Sequence, residues 1–428
     1  MRLTRPRAVP LLDPADIDLA DPQLYAAGDP HAVWLALREE HPVVRQPLRD
    51  GRCFWSATRY HDVNEVLRDH TRFTSERGTL LSTLGVDDPA GGKMMAASDP
   101  PVHTALREPL SRAMSARAMR RWEPRIRRMV RRLLAPLADG APWDLAAAAA
   151  SFPMAFTGTL MGLPEADWPR LTRLTTMAVA PTDEEFREGR GTLVAAHHEL
   201  FEYFADHLHA TRSAADDSLV GFLREMAAGD RRLRQDELVY NCYSLLLGAN
   251  VTTPHAVAGT VLAFIEEPAQ YARLIADPHL VPRAIEEGLR WSSPANHFMR
   301  YTTMEVELSG VRIAPGQAVV AWLGSANRDR RAFADPFAFD VARSPNRHVA
   351  FGFGPHYCVG APLARIALRI LFEETVQNVA AFEHAGPVEH LASDFVAGVK
   401  RLPVSAQLRP GAARRLSAAG TPRAEGVS

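Results

Sequence analysis

A chain of 428 residues with a formal net charge of -1, 23% charged and 46% hydrophobic residues has the profile of an ordinary globular protein. So balanced a charge gives no electrostatic footprint for a nucleic-acid partner. The three cysteines, Cys53, Cys242 and Cys358, are odd in number and far apart, which excludes a disulfide framework and points to a reducing cytoplasm.

In chain order, the first residues, "MRLTRPRAVPLLDPADIDLADP", carry charge and four prolines but no apolar core of signal-peptide length. "GDPHAVWLALREEHP" predicts a helix with Asp29 as N-cap, Pro30 at the first position, Trp34 and Leu37 on one face, and a stop at Pro42. Strand-like "PVVRQ" and "RCFWSA" follow. "RYHDVNEVLRDH" then predicts a helix with Val63, Val66 and Leu67 inward. Residues 74 to 102 read as a long loop, a length that usually has a function.

From 103 to about 275 the pattern is helix after helix. The run Leu238 to Ile265 is the longest apolar stretch, but it holds Asn241, Asn250, Thr252, Thr253, Pro254 and His255. A helix through the centre of a globular protein fits that set; a lipid-facing span does not, and no membrane association is expected. Pro254 has no N–H, so the Asn250 carbonyl loses its helical donor and the helix should widen there. Strand signals return around Ser309-Gly310 and Pro315-Gly316, two turns. Residues 325 to 349 are irregular, and a last long helix runs from after Cys358 to about residue 380. The expected organisation is an extension over 1–19, one mainly α domain with a minor β region over 20–408, and a disordered tail over 409–428.

Cys358 lies in "AFGFGPHYCVGAPLAR", between a glycine-rich loop and a helix start. The unpaired N–H groups of a helix N-terminus favour a thiolate. Gly352, Gly354 and Gly360 would let backbone amides approach the sulfur, and a small-residue turn suits a flat cofactor. From these residues alone, a buried structural cysteine and a zinc site using His356 and Cys358 stay open, although no second Cys/His pair stands at zinc spacing.

The spacing Phe351-x-x-Gly354-x-x-x-Cys358-x-Gly360, with His356 two residues before the cysteine, resembles the haem-binding loop of the cytochrome P-450 family of haem-thiolate monooxygenases. The resemblance implies that family's single triangular fold, haem b as cofactor, and Cys358 as the axial iron ligand. Further matches follow. Glu287-x-x-Arg290 in "IEEGLRW", with Arg343 from "PFAFDVARSPNRHVAFG", matches the family's structural Glu/Arg/Arg triad. His103 and Arg107 in "DPPVHTALREPL", Arg300 in "SSPANHFMRYTT", and His356 match its haem-propionate contacts. Phe351, Gly352 and Ala249 match positions against the haem. Two buried carboxylates need such cationic donors.

In "LLLGANVTTPHAV", Gly248 and Ala249 take the small positions of the central helix, and Thr252 takes the threonine of the dioxygen region, the expected catalytic residue. Val251 stands where the family carries an acid, a departure that removes the carboxylate linked to proton delivery. Asn250, Val251, Asn296, His297 and Phe298 are the substrate-pocket residues implied.

The function implied is oxidation, by hydroxylation or epoxidation, of a small secondary-metabolite intermediate, free or bound to a carrier protein. Dioxygen, and electrons from NAD(P)H through a ferredoxin and its reductase, would drive it. Arg112, Arg365 and Arg369 are the expected cations on the redox-partner face. Oxidative coupling or peroxide-driven oxidation in the same fold, and a non-enzymatic haem-binding sensor, are the alternatives.

Overall fold

The computed structural model describes residues 17–211 and 217–420. Helix α1 (Pro30–Glu40) starts as its sequence dictates: the Asp29 carboxylate accepts from the Ala32 amide, and Pro30 occupies N1. The hairpin β1 (Val43–Pro47) and β2 (Cys53–Ala57) leads into α2 (Tyr60–Arg68), which turns Val63, Val66 and Leu67 inward. After β3 (Phe73–Thr74), the 74–102 segment has structure of its own, with single turns at Leu81–Thr83 and Met95–Ala97.

The helical layer comprises α3 (Val102–Ala113), α4 (Glu123–Leu134), α5 (Leu145–Met161), α6 (Trp168–Met177) and α7 (Thr192–Ala210), with the short strand β4 (Trp143–Asp144) before α5. The long apolar run is two helices, α8 (Gln235–Asn250) and α9 (Thr253–Glu266). The break falls where Pro254 withholds a donor from the Asn250 carbonyl. Among the described residues, this pair is the one stretch long and apolar enough to cross a membrane, and most of its apolar window is buried inside the protein. Every residue from Ala256 to Phe264 in α9 is buried, as expected of a helix packed on all sides. It crosses α10 (Val281–Ser292) closely: a Cβ on Gly259 would lie 2.9 Å from Ser292 Cβ.

Strands β5 (His297–Thr302) and β6 (Ala318–Trp322) complete a five-stranded sheet of order β1-β2-β6-β5-β3, in which only β2 and β6 run parallel. After α11 (Ala361–Asn378) come β7 (Val379–His384), the paired β8 (Glu389–His390) and β9 (Val399–Arg401), and β10 (Pro403–Leu408). β10 lies between β7 and β4. The mainly α architecture with a minor β region is the one expected. The tail differs. Residues 412–420 form a helix, α12 (Ala412–Gly420), that packs on α4 and fully buries Ala412 and Leu416. Its small residues predict disorder, but Leu416 supplies an apolar anchor. The rest of the expected tail, and most of the expected extension, lie outside the described residues.

Candidate active site

Cys358 sits three residues ahead of α11, and its amide donates to the Phe351 carbonyl at 2.8 Å, which closes the loop. The Gly360 and Ala361 amides reach its sulfur. Burial pushes the thiol up; those amides and the charges of Arg107 and Arg365 pull it back without overcoming burial. The expected thiolate-favouring groups are thus in place, but the thiol by itself is not acidified. A thiolate here needs a further positive partner at the sulfur. The glycines divide their work. Gly360 lies against the sulfur, whereas a Cβ on Gly354, whose φ is +71°, would lie 2.7 Å from Arg68 Cα. Gly354 therefore serves the packing of the loop on α2, not the approach to Cys358.

Beside the loop, cationic and donor groups converge. Arg300 on β5 is 3% exposed, and its one hydrogen bond goes to the Met299 carbonyl at 2.8 Å. His103, on the first turn of α3, is 3% exposed with Nε2 unpartnered, and its ring lies 4.3 Å from that of His356. His356 Nε2 is 3.1 Å from Ser75 Oγ. Burial and the neighbouring charges of Arg300, His103 and Arg107 lower His356 to about 2. Burial and Arg107 lower His103 to about 4. Arg107, one turn along α3, is half-buried and donates to Ser111. The nearby carboxylate, Asp99, accepts from the Ser75 amide and the Thr74 hydroxyl. The cluster thus holds more cation than its own acid balances, which is the donor set that a dicarboxylate group requires.

The break between α8 and α9 also suits a flat group. Gly248 is exposed near the end of α8, and a Cβ there would meet nothing within 4 Å. Ala249 and Thr252 are partly accessible. Thr252 stands in the break and donates to the Gly248 carbonyl at 3.0 Å. Val251 is 4% exposed and packs with Val179, Ala180, Leu391 and Val396. Asn250 donates to the Leu246 carbonyl and leaves its own side-chain oxygen buried and unpartnered. These observations fit haem as the implied cofactor. Among the described residues, no group of three or more His, Cys, Asp or Glu could hold a bare metal ion, so the zinc alternative lacks ligands.

Asn296 and His297, expected in the substrate pocket, each engage the chain itself. Both are fully buried, and both face the Asp394 carbonyl, at 3.0 and 3.3 Å. His297 also accepts from the Leu81 amide and packs on Trp322. They tie β5 to the 394–395 segment. Phe298, half-buried, remains beside Phe395.

The expected triad is assembled. Arg290 donates to Glu287 at 2.7 and 2.8 Å, both fully buried, and Arg343 donates to both Glu287 oxygens at 3.1 Å. Burial pushes Glu287 up, but the Arg290 hydrogen bonds and charge outweigh it and hold the carboxylate below its ordinary value. The adjacent Glu286 was not singled out from the sequence. It accepts from Arg365 at 2.7 and 2.8 Å and lies 3.0 Å from His348 Nε2. Its doubled acid in "IEEGLRW" was the available signal. Arg365 also bonds the Tyr357 hydroxyl and covers the Phe351 ring at 4.7 Å, and Arg369 pairs with Glu123 and Glu373. Arg365 and Arg369 are therefore committed within the chain; Arg112 is exposed.

A cytochrome P450 family model matches residues 151–385. Cytochrome P450 NovI of Streptomyces niveus is 34% identical over 94% of this chain and 98% of its own length. Nocardicin C N-oxygenase of Nocardia uniformis subsp. tsuyamanensis is 34% identical over 87% of this chain and 94% of its own. Among solved structures, P450 OxyD, involved in the biosynthesis of vancomycin-type antibiotics, superposes with a TM-score of 0.81 at 34% identity, covering 92% of this chain and all of that one.

Proposed function

The chain belongs to the cytochrome P450 family, and on that premise we propose that it is a monooxygenase that hydroxylates or epoxidises a small secondary-metabolite intermediate. The observation that carries the reading is one juxtaposition. Cys358 is presented by the Gly360 and Ala361 amides, and a partly unbalanced cation cluster lies beside it. Haem b, when bound, supplies dioxygen chemistry that a thiolate ligand tunes toward O–O cleavage. The chain's own residues do the rest. Cys358 would ligate the iron. Arg300, His103, Arg107 and His356 would hold the propionates, and Phe351 and Gly352 would floor the ring. Thr252 would orient a proton donor toward the oxygen undergoing reduction. The apolar cluster around Val251 would exclude water.

Electrons would come from NAD(P)H through a ferredoxin and its reductase. Secondary metabolism is supported by the relatives: the nocardicin enzyme is an N-oxygenase by name, and P450 OxyD serves antibiotic biosynthesis. A carrier-bound substrate is part of the proposal. Val251 favours one second reading, peroxide-driven oxidation, because the apolar cluster holds no acid at that position. Turnover with ferredoxin, reductase and NADPH, set against turnover with hydrogen peroxide alone, tests the choice. Product only in the first is expected. Equal or faster product in the second selects peroxide, and none in either, across a substrate panel that shifts the ferric spectrum, overturns the enzymatic reading.

A further inference from the structure

A small cavity lies where the first turns of α9, the end of α10 and the β8–β9 pair meet. It is lined by His255, Gly259, Ser292, His390, Gly398 and Val399, and it offers about 10 Å³ to the centre of a water molecule, room for one. The Nδ1 atoms of His255 and His390 are both buried and both unpartnered. Each ring also lies near a backbone carbonyl, His255 near that of Val399 and His390 near that of Gly398. A neutral imidazole has one donor and one acceptor nitrogen, so each unpartnered Nδ1 lacks a bond it could make. Burial keeps both rings neutral, at about 4 for His255 and about 3 for His390.

Ser292 does not serve them, because its hydroxyl donates to the Gly288 carbonyl at 2.7 Å. Two unsatisfied buried ring nitrogens are unfavourable. A water molecule both donates and accepts, so it can satisfy the two, and the space holds one water.

We propose that His255 and His390 jointly hold one buried water, which hydrogen-bonds to each Nδ1 and pins β8–β9 to the first turn of α9. Both ends matter. α9 begins directly after Thr252, and the segment between β8 and β9 supplies Leu391 and Val396, which pack on Val251. His255 and His390 are thus positioning residues for the wall that bears on Thr252. That consequence rests on the function proposed above; the water site itself does not.

An atomic-resolution crystal structure of the haem-loaded chain should show one ordered water within hydrogen-bond distance of both Nδ1 atoms. Two variants separate the water from ring packing. His255→Asn keeps a hydrogen-bonding group near the Nδ1 position, and His255→Leu removes it. Amide exchange at Leu391, which donates to the Gly398 carbonyl, should rise at least tenfold in His255→Leu and stay near wild type in His255→Asn. A dry cavity in the wild-type crystal, or equal exchange in the two variants, overturns the proposal. A water present in a chain that shows no thiolate-bound haem would leave this site standing and remove the functional reading.

Discussion

At the scale of single residues, the site is defined by groups whose demands the chain itself does not meet. Arg300 is buried with only a backbone carbonyl to bond, and His103 keeps an unpartnered Nε2. On the proposed function, replacing either with Ala removes a donor to a haem propionate. Haem transfer to an apo-globin acceptor should accelerate at least tenfold in Arg300→Ala and further in the double variant, with far-ultraviolet dichroism unchanged. Unchanged transfer in both singles and the double would remove these residues from the haem site. Thr252 poses a sharper question, because its hydroxyl bonds back to Gly248 as many helical threonines do. If it also orients the proton donor, Thr252→Ala will consume NADPH and release hydrogen peroxide instead of product. Product formed per NADPH consumed is the measurement, and unchanged coupling would assign Thr252 to the helix alone. Both proposed roles rest on a family pattern, since nothing local distinguishes a functional threonine from a back-bonded one.

At the scale of elements, the break between α8 and α9 was legible in one residue. Pro254 removes a donor, and the helix parts two residues before it. Pro254→Ala should restore the bond to the Asn250 carbonyl, stabilise the chain by about 1 kcal/mol, and lower coupling by turning Thr252 into a continuous helix. Denaturant unfolding and product per NADPH read the two effects; a destabilised variant would show that the break is set by packing. The link between α10 and α11 was less legible, because Glu286 looks like any surface acid until Arg365 is brought over it. Burial raises Glu286, and hydrogen bonds from Arg365 and His348 more than reverse that, to about 2. A depressed carboxylate stabilises the fold above its unfolded value and loses that contribution as pH falls through its folded one. The wild type should therefore exceed Glu286→Gln by about 3 kcal/mol at neutral pH. The difference should close between pH 4.5 and 2. Unfolding curves across that range check it, and a pH-independent gap would mean that the loss is steric.

At the scale of the whole molecule, the triad fixes how the helical layer meets the irregular segment that leads to Cys358. Glu287 is the carboxylate that Arg290 and Arg343 share, so Glu287→Ala leaves both guanidiniums on backbone carbonyls without their common counter-charge. A loss of about 3 to 5 kcal/mol is expected, seen as failure to accumulate haem-loaded protein. A stable, loaded variant would contradict the structural role. The mainly α fold was legible because long apolar runs and caps such as Asp29 are local. The pocket was not, because Asn296 and His297 look polar in sequence and only the 394–395 segment, almost a hundred residues on, shows what they bond. The α12 helix escaped notice for the same reason: its anchor, Leu416, needs α4 beneath it. The central claim is that Cys358 binds haem iron as a thiolate, although burial alone raises the thiol. The ferrous carbonyl complex of the freshly reduced protein reads this directly. Wild type should show the red-shifted Soret band of thiolate ligation, and Cys358→His should keep haem but lose that band. A wild-type spectrum with the unshifted band of a neutral axial ligand would contradict the account.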